Sequence, residues 1–227
     1  MKPNKFNKGF VMIATIVLSM TLFISCDEHE VEDLSWKSWE PGMVYATNGK
    51  ISSYERCIAE GNTPEAVLFY IDNSKESDVI AYAVTLKDCP KAEFSDPDTI
   101  CLSQGTSADY GLMDGESNTS ILRYGVIGSP IAQNVHPRYF IPSVAEMYKL
   151  YNASLLVNYV IGQCGGDVLP VNDKRCWYWT STECEGQKKD RAWCFSLYSG
   201  RFESADKHQL YATRPIMKIR LNKAELQ

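Results

Sequence analysis

Residues Trp177–Gly200 read WYWTSTECEGQKKDRAWCFSLYSG, and this stretch decides the fold. Large apolar side chains alternate with small or polar ones on either side of a Gly- and Lys-containing break, the period of two that half-buried strands show. A turn centred on Gln187 would set Trp177 opposite Leu197, Trp179 opposite Phe195 and Ser181 opposite Trp193. The large apolar groups then share one face. Tyr178, Thr180, Thr182, Ala192, Cys194, Ser196 and Tyr198 take the other, as expected of an antiparallel hairpin with one wet side. Ser199-Gly200 signals the next turn and Phe202–Ala205 a short returning strand. After the polar loop DKHQ, Pro215 opens a last strand, IMKIRL, and a proline there requires an edge or first position.

Working upstream, Pro142-Ser143-Val144-Ala145-Glu146 spells a capping box, with the Ser143 hydroxyl taking the Glu146 amide and the Glu146 carboxylate reaching back to the Ser143 amide. Val144, Met147, Tyr148, Tyr151, Leu155 and Tyr159 follow at three and four residues, which predicts one buried stripe on a helix ending at Gly162–Gly166. Glu65–Asp72 (EAVLFYID) and Asp78–Lys87 (DVIAYAVTLK), separated by NSKES, predict a second hairpin. Residues 88–138, rich in Gly, Pro, Ser and Asp, read as mostly ordered loop. The expected class is α+β: small antiparallel sheets, one or two flanking helices and long ordered loops.

The chain has 227 residues, 44% hydrophobic and 22% charged, which excludes collagen-like and wholly disordered classes. Residues 10–24, FVMIATIVLSMTLFI, form an uncharged apolar run behind Lys2, Lys5 and Lys8, too short to span a bilayer and arranged as an export signal. Phe23-Ile24-Ser25-Cys26 resembles the bacterial lipobox, in which a signal peptidase cuts ahead of a lipidated cysteine; the alternative is an ordinary secretory signal with an incidental cysteine. Acylation of Cys26 would make the lipid bilayer a partner, since each buried methylene contributes roughly 0.8 kcal/mol. The DEHEVED run behind it reads as an extended tether. It resembles the acidic export tag of Bacteroidetes-type lipoproteins that reach the outer face of the outer membrane; a solvating tether without an address is the other reading. The expected organisation is a signal peptide over 1–25, a tether over 26–43, one domain over 44–222 and a tail over 223–227. Removing three lysines and no acid takes the net charge from −5 to −8, and no basic stripe accompanies it, so no nucleic-acid partner is expected.

Chemistry is sparse. His29, His136 and His208 lack any nucleophile-elbow or zincin context. Besides Cys26 there are Cys57, Cys89, Cys101, Cys164, Cys176, Cys184 and Cys194, an odd set without zinc-finger spacing; small buried hydrophobes, with one or two disulfides in an exported protein, account for them. Asp96-Pro97-Asp98 and Asp109 offer oxygens, but turns explain them equally, and neither Glu-Pro-Asn nor Gln-Pro-Asp occurs. No cofactor, metal or catalytic residue is therefore assigned. The wet face of the hairpin supplies a candidate ligand surface instead: Tyr178 and Tyr198 for stacking, with Asp190, Arg191, Arg201 and His208 in adjoining loops for hydrogen bonds. Coverage of that face by another element is the competing reading. Asp98-Thr99-Ile100 matches a short O-glycosylation pattern that chance also supplies.

Read in order, LFYID, AYAVTLKD, MDGESNTSIL, YFIPSVAEMYKLY, WYWTSTE, RAWCFSLYSG and RPIMKIR resemble the Lcl C-terminal domain family, of unknown function, over roughly 44–222. Phe140-Ile141-Pro142-Ser143 stands where the family has Arg-Leu-Pro-Thr. The resemblance implies a C-type-lectin-like fold related to sulfatase-modifying domains; within its motifs Trp179, Ser181, Glu183, Trp193 and Pro215 read as core and turn architecture, not ligand contacts, because alternation already accounts for their burial. It also implies a non-catalytic, lipid-anchored surface domain that binds a glycan or protein in adhesion. A structural or assembly component of a surface appendage is the second expectation, and an enzyme related to sulfatase-modifying proteins the third.

Overall fold

A computed structural model describes residues 39–74, 78–96 and 102–222, all within one compact unit, Leu34–Gln227. The signal peptide, Cys26, the acidic run, Pro97, Asp98, Thr99, Cys101 and the 223–227 tail lie outside the described residues.

The first sheet joins both ends of the described chain. Strands β1 (Val44–Ala46), β2 (Ile51–Ser52), β3 (Pro64–Asp72), β4 (Asp78–Thr85) and β10 (Ile216–Asn222) pair antiparallel in the order β10-β4-β3-β1-β2. The β3–β4 pair is the hairpin that EAVLFYID and DVIAYAVTLK predict, and Pro215 immediately precedes the edge strand β10. Packing starts ahead of β1: Met43 is buried and the Gly42 amide donates to the Leu68 carbonyl at 2.8 Å. Helix α1 (Tyr54–Ala59) follows β2, its Ser53 hydroxyl accepting from the Arg56 amide.

The second sheet holds β5 (Cys89–Ala92), β6 (Tyr178–Glu183), β7 (Arg191–Ser196), β8 (Arg201–Asp206) and β9 (Tyr211–Thr213), ordered β5-β9-β6-β7-β8 with only β6 and β9 parallel. Its hairpin exists as predicted, but in another register. Tyr178 pairs with Phe195 and Trp179 with Cys194, and a bulge then brings Glu183 opposite Ala192. A one-residue slip turns every side chain over. Trp179 therefore packs with Phe94, Ile131 and Cys194 on one face, and Tyr178 with Phe195 and the long helix on the other. Every residue of β6 is buried, so the wet face expected from alternation does not exist there.

The stretch 88–138 is less irregular than expected. Besides β5 it contains α2 (Gly115–Tyr124) and α3 (Pro130–Gln133). Helix α2 has Asp114 at its N-cap position and Gly125 at its C-cap, but the Asp114 side chain makes no cap bond. Tertiary bonds hold it instead: the Thr119 hydroxyl takes the Ile141 amide at 2.8 Å and donates to the Ile141 carbonyl at 3.3 Å.

Helix α4 (Val144–Gln163) opens on the predicted capping box, with the Ser143 amide donating to Glu146 Oε2 at 2.7 Å. Its buried stripe is Val144, Met147, Leu150, Ser154, Val157 and Ile161. The predicted stripe shares only its first two members. Tyr148, Leu155 and Tyr159 are 44%, 78% and 67% exposed, so α4 has a second apolar face turned to solvent. No helix among the described residues is long and apolar enough to cross a membrane.

Candidate binding cleft

The predicted ligand residues separate into buried and open positions. Tyr178 is only 1% exposed, and its hydroxyl donates to Asp88 Oδ2 at 2.8 Å, while Asp88 Oδ1 accepts from the buried Arg214 at 2.9 Å. Tyr178 thus belongs to the core and presents nothing to a ligand, which corrects its placement on an open face. Arg191 is half-buried and tied to the neighbouring strand, donating to Ser204 Oγ at 2.6 Å and the Ser204 carbonyl at 2.5 Å. Asp190 and His208 are exposed near that end of the β7–β8 ladder, where Arg191 faces Asp206. Tyr198 and Arg201 lie at the other end, where Ser196 faces Arg201. A strand rises about 3.3 Å per residue, so the two groups stand roughly 17 Å apart and form no single patch.

Tyr198 has other neighbours. Between α4 and the β7–β8 turn runs an open cleft of ≈ 350 Å³, lined by Tyr151, Asn152, Ser154, Leu155, Val171, Asn172, Leu197 and Tyr198. Each wall has a local cause. Helix α4 contributes Tyr151, half-buried against the core, and Leu155 from its second apolar face. The chain after α4 is strapped back onto that helix by Asn158, whose carboxamide donates to the Leu169 carbonyl at 2.9 Å and accepts from the Leu169 amide at 2.6 Å, so Val171 and Asn172 stay at the rim. The β7–β8 turn closes on Gly200, whose φ of +68° only glycine adopts readily and where a Cβ would stand 2.6 Å from the Tyr151 ring.

Aromatic rings continue the surface beyond the cleft. Tyr148 and Tyr151 stand over Phe195 with centroids 5.5 and 6.4 Å away. Phe195 faces Phe202 across the ladder, and Phe202 carries Trp193 at 5.1 Å and the exposed Tyr110 at 5.4 Å. Tyr198 itself is 50% exposed. Sequence reasoning found Tyr198 and missed Tyr151, Asn152, Leu155 and Asn172. For the helical residues the available signal was a helix apolar on too many sides to bury them all; for Asn172 there was none.

Buried ions fix the loops around this surface. Glu183 and Lys207, 0% and 1% exposed, pair at 2.5 Å. The Glu183 carboxylate also accepts from the amides of Gln104 and Thr106, each at 2.9 Å, and Lys207 donates to the Lys188 carbonyl at 2.5 Å. Segment 103–107 and the β6–β7 turn are thereby held to one point. Such a charge knot fits architecture better than ligand binding, because every polar atom in it faces protein.

A second cleft of ≈ 310 Å³ includes Glu65, Cys89, Asn134, His136 and Tyr139, and it brings a thiol and an imidazole into one lining. The chemistry runs against an activated nucleophile. Cys89 Sγ donates to the Asn134 carbonyl at 3.3 Å and burial pushes its thiol above the ordinary range, while His136 Nδ1 is occupied accepting the Arg138 amide at 3.2 Å. Burial likewise pushes Cys164 up to about 11 and Cys194 up to about 12. Cys57, Cys89, Cys164, Cys176, Cys184 and Cys194 all carry free thiols. Among the described residues no group of His, Cys, Asp or Glu is placed to hold a metal ion. Asp109 closes a turn, its Oδ1 accepting the Gly111 amide at 2.8 Å. No protein-family model matches the chain, and no curated protein matches it.

Proposed function

We propose that the chain is a non-catalytic, lipid-anchored domain of the outer-membrane surface, with a C-type-lectin-like fold, that binds a glycan or protein ligand in adhesion. The observation carrying this reading is the open cleft between α4 and the β7–β8 turn, where partly exposed tyrosines meet two carboxamides. Aromatic faces with adjacent amides are what sugar and protein contacts use, because the ring supplies desolvated area and the amide supplies orientation. The anchor and the surface address rest on the Cys26 and DEHEVED resemblances, and the finer fold on the motifs shared with the Lcl C-terminal domain family.

The test has two arms. Replacing Cys26 with Ala is expected to move the protein from the membrane fraction to the soluble one, and protease shaving of intact cells is expected to remove the wild-type domain. Binding of native envelope or host surface material is expected to fall roughly two- to tenfold in Tyr198→Ala, the equivalent of one lost stacking contact. Undiminished binding by that variant would refute the cleft.

The exposed run Leu155, Leu156 and Tyr159 favours a second reading, an assembly component of a surface appendage. Stoichiometric co-purification with an envelope partner, lost on Leu155→Asp, is its expected signature.

A further inference from the structure

We infer that the α4 cleft is a metal-independent subsite for a neutral pyranose ring, and that charged saccharides are not its ligands. The inference rests on the binding reading above and adds the ligand class.

The lining is the reason. Tyr151, Asn152, Ser154, Leu155, Val171, Asn172, Leu197 and Tyr198 include no ionisable acid or base other than the two phenols. Sialic acids, uronic acids, sulfated sugars and phosphates carry charge that no group of this lining matches, and the exposed Arg201 at the same end of the ladder stands outside it. A neutral hexose makes the opposite demand. One of its faces is a row of C–H groups that seats on a tyrosine ring, and its rim of hydroxyls needs groups that both donate and accept. A carboxamide does both, and the exposed Asn152 and Asn172 belong to the lining, one from the helix and one from the strap behind it. The buried Leu197 gives an apolar floor and Tyr198 and Tyr151 the ring faces.

Dimensions agree as well. A volume of ≈ 350 Å³ takes one or two sugar rings, and the cleft is open to solvent. Tyr148 then continues the aromatic row along α4 on the underlying Phe195, a track on which neighbouring rings of the same chain would lie. Because the lining contributes no carboxylate, no charge draws a calcium ion into the contact.

The experiment uses the purified full-length acylated protein in detergent. It is screened on an array printed with neutral glycans (hexose, N-acetylhexosamine and deoxyhexose chains) and charged ones (sialylated, sulfated and uronic-acid chains). The strongest neutral oligosaccharide is then titrated calorimetrically at low and high salt, with and without EDTA. The expected result is neutral-glycan binding unchanged by EDTA and by salt. It should be weakened roughly two- to tenfold by Tyr198→Ala and several-fold by Asn172→Ala, while Val126→Ala, fully exposed and outside the lining, leaves it intact. Retention only of charged glycans, loss with EDTA, or neutral binding indifferent to Tyr198 and Asn172 would each overturn the assignment. If no glycan binds but an envelope protein is captured in a Tyr198-dependent way, the sugar class falls and the cleft stands. If neither binds, both fall.

Discussion

Gly186 and Gly200 offer a matched pair that isolates how the cleft is held open. Both sit in turns of the same three strands with nearly the same backbone, φ +71° and +68°, so alanine at either carries a left-handed cost of roughly 1–2 kcal/mol. Their surroundings differ. A Cβ at Gly186 meets nothing within 4 Å, whereas one at Gly200 lies 2.6 Å from Tyr151 Cε1 and 2.8 Å from Cζ. Tyr151 stands over Phe195 and is close to Tyr148, with the helix backbone behind it, so the ring has little room to retreat. Overpacking of this kind adds about 1–3 kcal/mol. At about 2–4 °C per kcal/mol for a domain of this size, Gly200→Ala should melt roughly 2–12 °C below Gly186→Ala. Circular dichroism melts of both variants, run in parallel, measure the gap. Trimming the ring should close it: Tyr151→Leu with Gly200→Ala is expected to be less destabilised than the sum of its single changes. Equal melting of the two glycine variants would refute the claim that the turn bears on Tyr151, and with it the account of how that wall is set.

Other consequences concern the buried polar groups. Lys207→Met leaves the Glu183 carboxylate buried without its countercharge; a loss of about 3–5 kcal/mol, or roughly 6–20 °C in Tm, is expected, and a wild-type melt would show that the pair is not essential. Tyr178→Phe removes the bond to Asp88 and should cost about 1.5–3 kcal/mol in urea unfolding without altering ligand affinity, since the residue is core. Burial raises Glu146 from 4.5 to about 7. A carboxyl that holds its proton more tightly when folded gains stability on acidification. Between pH 7 and 4.5 the wild type should therefore gain on the order of 3 kcal/mol relative to Glu146→Gln, and flat, parallel pH profiles would contradict this.

What the sequence discloses is local. The capping box at Ser143 and Glu146, the β3–β4 hairpin and the strand behind Pro215 each depend on neighbours a few residues away, and each stands as read. The β6–β7 register does not. Alternation predicts which residues share a face only when one face is wet, and here Phe94 and Ile131 cover one side while α4 covers the other. With both sides buried, WYWTST offers no contrast by which a bulge is detected. Helix α2 was hidden for a related reason, because it is held by Thr119 on the Ile141 backbone, twenty-two residues away, and not by a cap of its own.

The helix α4 shows how a wrong expectation about packing and a missed site have one origin. Tyr148, Leu155 and Tyr159 have helical spacing and large apolar bodies, so periodicity assigns them to a core, yet Leu150, Val157 and Ile161 fill that role from the opposite side. A helix has one core-facing stripe, and a second apolar stripe left in water costs roughly 25 cal/mol for each Å² that remains exposed. Tyr148 packs on Phe195, but at Leu155 and Tyr159, 78% and 67% exposed, folding alone gives no reason to keep an apolar side chain. Tyr148 and Leu155 run beside the cleft that Asn152, Asn172 and Tyr198 complete, while Tyr159 lines a separate hollow with Pro41, Tyr54 and Leu156, so part of the surface the fold leaves unused is the one a ligand would cover. If Leu155 and Tyr159 can both be exchanged for Gln with stability held and ligand and partner binding undiminished, that stripe has no function and the reasoning that places one there fails.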